Sequence, residues 1–132
     1  MQTEQRKNGE RRTRRSSDTM TALHYQLSAV RHDAGLEALV LADAAGCLVA
    51  GAGAWPTCEM LAAYAPLLAH RSMVNNDLLA STVEPLTDGT EVRSLSIDGS
   101  EVLLCARGSS GLRGPSIARA ASGCRRILGG EA

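Results

Sequence analysis

Hydrophobic positions recur along the chain at two periods, and the switches between them mark the elements. Met20, Leu23, Leu27 and Val30 are spaced three, four and three apart. They form one stripe of a helix expected from about Thr19 or Thr21 to Asp33, capped by Asp18 or Thr19. Gly35 is placed to end it in a left-handed conformation. Leu36 to Ala42 is nearly all apolar, as in a strand covered on both faces. Asp43-Ala44-Ala45-Gly46 supplies a turn, and Cys47 to Ala50 is the return strand. Gly51-Ala52-Gly53 then releases the chain into a loop with Trp55 and Pro56.

The longest expected helix runs from about Thr57 to Leu79. Thr57 is a suitable N-cap, and Glu59 favours the first turn. Met60, Tyr64, Leu67, Val74 and Leu78 share one face, which we assign to the sheet. Leu61, Leu68, Asn75 and Leu79 lie on a flanking stripe, which we assign to a partner. The apolar arc is wider than one sheet contact needs. Pro66 interrupts the pattern and is expected to kink or split the helix.

Three short strand patterns follow: Ser81–Leu86, Thr90–Ile97 and Ser100–Arg107. Asp88-Gly89 and Asp98-Gly99 separate them, and Asp-Gly between such runs is a strong hairpin signal. Pro85 confines the first to a sheet edge. Val102-Leu103-Leu104-Cys105 is apolar throughout and reads as a central strand. After Gly108-Ser109-Ser110-Gly111, a last helix is expected over Pro115–Leu128, burying Ile117, Ala120, Ala121, Cys124, Ile127 and Leu128. The order α-β-β-α-β-β-β-α predicts an α/β (α+β) fold, a five-stranded antiparallel sheet with helices on both faces.

Composition narrows the function classes. The 132 residues suit one domain and are 44% hydrophobic, but contain no Phe, one Trp and two Tyr. The core must therefore be Leu, Val, Ile and Ala. Residues 1–18 hold six Lys/Arg and three Asp/Glu, a net +3; the other 114 hold eight and eleven, a net −3. Met1 is the tail's one apolar residue, so 1–18 is expected to be a disordered basic tail and 19–132 the domain. Within it, Arg11, Arg12, Arg14 and Arg15 could touch acidic lipid, nucleic acid or an acidic protein face. Ser16 and Ser17 follow them, as a basophilic kinase site requires. There is no apolar leader and no membrane-spanning run, so a cytoplasmic protein is expected.

Candidate chemistry is sparse. Cys47, Cys58, Cys105 and Cys124 are widely spaced and read as small buried hydrophobes. His24, His32 and His70 lie at no metal-ligand spacing. Gly51-Ala52-Gly53 lacks the third Gly of a dinucleotide loop, and no G-x-x-x-x-G-K-[ST] motif is present. Ser109 and Ser110 have no nucleophile elbow around them. Asp43, Asp88 and Asp98 have sufficient reason as turn residues. We expect no catalytic residue, no metal and no cofactor.

The layout resembles the roadblock family, first named for a dynein light chain. The matching stretches are LEALVLADAAGCLVAGAG, CEMLAAYAPLLAH, TEVRSLSIDGSEVLLCARG and GLRGPSIARAASGCRRIL, across roughly residues 20–128. Longin-like and profilin-like domains share parts of this pattern. The resemblance implies a non-catalytic scaffold or regulator that pairs with itself or another roadblock protein. In that family the second helices lie side by side, and the first meander strands can join two sheets. It also implies a Ras-like small GTPase as partner, in bacterial signalling, polarity or motility. The wide apolar arc over residues 60–79 would then be the dimer and partner surface. Pro66 and Pro85 depart from the pattern. The alternative is a small-molecule-sensing profilin- or GAF-like domain, which needs a pocket with convergent polar groups.

Overall fold

A computed structural model describes residues 2–70, 89–108 and 110–129, with side-chain surroundings for 18–70, 89–108 and 113–129. The element order is α1 (Gln2–Ala34), β1 (Ala38–Asp43), β2 (Leu48–Ala52), α2 (Trp55–Ala69), β3 (Thr90–Ile97), β4 (Ser100–Arg107) and α3 (Ser110–Leu128). The sheet is antiparallel, in the order β2-β1-β4-β3. Among the described residues it has four strands, not five. The expected strand Ser81–Leu86, with Pro85, lies outside them.

Period-two alternation in the two central strands divides the core. Leu39 and Leu41 of β1, with Leu104 and Ala106 of β4, face α1 and α3. Ala38, Val40 and Ala42, with Leu103 and Cys105, face α2. Both strands are buried on both sides, which is why each reads as an unbroken apolar run. On the first face Leu23, Leu27 and Val30 of α1 meet Ile117, Ala120, Ala121 and Cys124 of α3. Met20 leads the α1 stripe but is 36% exposed.

The turns follow from local chemistry. Gly35 (φ 64°) ends α1 in a Schellman motif: Gly35 N–H donates to His32 O at 3.3 Å and Leu36 N–H to Arg31 O at 3.1 Å. Leu36, the residue past the glycine, is buried in the core. Between β1 and β2, Asp43 Oδ1 accepts from the N–H groups of Ala45 and Cys47, both at 2.9 Å. Asp98 (φ 52°) and Gly99 (φ 81°) make the two-residue turn that pairs Ile97 with Ser100.

All three helix starts differ from expectation: α2 begins at Trp55, with Ala54 rather than Thr57 at its N-cap and no side-chain cap there. α1 begins at Gln2, so helical backbone runs through the segment expected to be disordered. That stretch is rich in Gln, Glu, Lys and Arg, lacks proline, and spaces Glu10 and Arg14 four apart, all favourable to helix. α3 begins at Ser110 rather than Pro115, and the proline lies inside it.

Candidate functional site

The second helix is the element with most apolar surface to account for. Of its residues Trp55–Ala69, Glu59 alone is charged. Cys58, Leu61, Ala62 and Ala65 follow helical spacing and are buried against β1 and β4. This face consists mostly of small side chains, which lets the helix lie close. A Cβ on Gly51 of β2 would stand 3.1 Å from Cys58 Sγ.

The opposite face carries Met60, Ala63, Tyr64 and Leu67, again at helical spacing. Ala63 is exposed, and the other three are partly exposed. Trp55, 51% exposed, stands at the head of the helix beside exposed Pro56. A surface helix ordinarily turns charged residues to water; this one offers Glu59.

This arrangement corrects the assignment of the two stripes. Leu61, expected at a partner interface, is fully buried within the chain's own core. Leu68 is partly buried and packs at the edge of the same cluster. Of the residues expected against the sheet, Met60 is partly buried and packs on that cluster as Leu68 does, whereas Tyr64 and Leu67 are partly uncovered and are not among the residues packed on it. The small residues decide this: Ala62, Ala65 and Cys58 fit where the sheet approaches closely, and bulky Tyr64 does not. Asn75 and Leu79 lie outside the described residues. So do the side chains of Arg11, Arg12, Arg14 and Arg15, whose backbone belongs to α1. Pro66 does not split the helix, which continues to Ala69 with His70 N–H donating to Pro66 O at 3.1 Å. It stands in the last turn and removes one donor.

The polar groups are dispersed. His24 Nδ1 donates to Gly51 O at 3.1 Å, tying α1 to β2. His70 Nε2 lies 3.3 Å from Glu101 Oε1 at the surface, and His32 is exposed. No cluster of three His, Cys, Asp or Glu positioned for a metal occurs among the described residues. Cys58, Cys105 and Cys124 are buried and unbridged, whereas Cys47 is exposed in the first hairpin, against expectation. Burial pushes the Cys105 thiol up to about 12 and Cys124 to about 11, and raises Cys58 as well. These three sulfurs stay protonated and unreactive at neutral pH. No described helix is long and apolar enough to cross a membrane.

A mixed α/β domain, with an antiparallel sheet between one helix and a pair, has a roadblock-type architecture. Myxococcus xanthus MglB is similar in structure, with a TM-score of 0.51 at 16% identity over 82% of this chain and 88% of that one. At that identity the likeness concerns the fold alone. No protein-family model matches the chain, and no curated protein matches it.

Proposed function

We propose that this chain is a non-catalytic, dimeric scaffold or regulator that docks a Ras-like small GTPase, as its resemblance to roadblock proteins implies. The outward face of α2 is the surface through which it pairs with itself or with another roadblock protein. The observation carrying this reading is the charge-poor helix whose Met60, Tyr64 and Leu67 remain partly uncovered after its other face is buried. An apolar stripe of that kind on a surface helix favours association. The fold shared with MglB supports the family resemblance. The scaffold would act in the cytoplasm, in bacterial signalling, polarity or motility. Calorimetry tests the docking: a Ras-like GTPase encoded beside this chain, loaded with GDP or a GTP analogue, should bind the wild type. Absence of binding in both nucleotide states would remove the GTPase from the reading.

The small-molecule-sensing alternative needs polar groups converging on an enclosed pocket. Two clefts among the described residues lie between α1 and α3, and both are open.

A further inference from the structure

We draw no further inference here: the strongest candidate, the open cleft between α1 and α3 beside Tyr25, is lined by one acidic and one basic side chain, Asp18 and Arg126, and nothing in the structure shows what covers it.

Discussion

Gly51 and Cys58 set how closely the second helix lies on the sheet: a Cβ on Gly51 would stand 3.1 Å from the Cys58 sulfur and 3.3 Å from its Cβ. Both residues are buried, so the contact has no room to relax into solvent. Gly51→Val should therefore cost about 1–3 kcal/mol by overpacking. Removing the sulfur with Cys58→Ala should recover part of that loss. Urea denaturation of the single and double variants gives the coupling, and strict additivity would mean the two do not press on each other.

The corrected faces of α2 make opposite demands on two leucines. Leu61→Ala should destabilise the fold by about 2–5 kcal/mol, as expected of a leucine buried in a core, and Leu61→Glu should unfold it. Leu68, only partly buried, should accept Glu with a folded circular dichroism spectrum. If Leu61→Glu folds and Leu68→Glu does not, the helix is rotated relative to this account.

Raised thiols link stability to alkaline pH. In the unfolded chain these cysteines ionise near 9.0, whereas in the fold Cys105 is pushed up to about 12 and Cys124 to about 11. The fold therefore favours the neutral thiol. Their contribution is complete below pH 9 and is lost as pH climbs through 11 toward 12. Denaturation midpoints should fall over that window, and fall less in a Cys105→Ala variant compared with itself at pH 8. At pH 8 a thiol reagent should label Cys47 in the native protein and the other three cysteines only after denaturation.

Deleting residues 2–17 should reduce the helical signal yet move the melting temperature by no more than a few degrees. The segment is helical in backbone but has no apolar side chain to bury. A helix held by its own propensity is marginal in water. Loss of a larger part of the melting temperature would show that the segment packs on the domain.

Much of this fold is legible in the residue pattern, for identifiable reasons. The apolar runs Leu39–Ala42 and Val102–Cys105 announce central strands because both faces are covered. Asp98-Gly99 announces its hairpin because few other pairs adopt two positive φ values. The orientation of α2 is not legible from hydrophobicity alone. Met60, Tyr64 and Leu67 outweigh Cys58, Ala62 and Ala65 on any scale of apolar size. The close approach of Gly51, a contact between distant parts of the chain, is what selects the small side chains. The clue lay in that glycine within a strand. The charged residues 2–17 favour helix by composition but contain no hydrophobic period, so the pattern gave no boundary for a helix start at Gln2.

The central claim is that the outward stripe of α2 pairs this chain with another copy. Sedimentation equilibrium at about 100 μM measures it, since a pairing energy beyond about 5–6 kcal/mol populates a dimer there. The wild type should sediment at twice the chain mass. Tyr64→Glu, and Leu67→Glu as an independent variant, should be folded monomers, because a carboxylate on that stripe stays in water only when the partner is absent. A wild type of monomer mass, or folded Tyr64→Glu and Leu67→Glu variants that remain dimers, would contradict it.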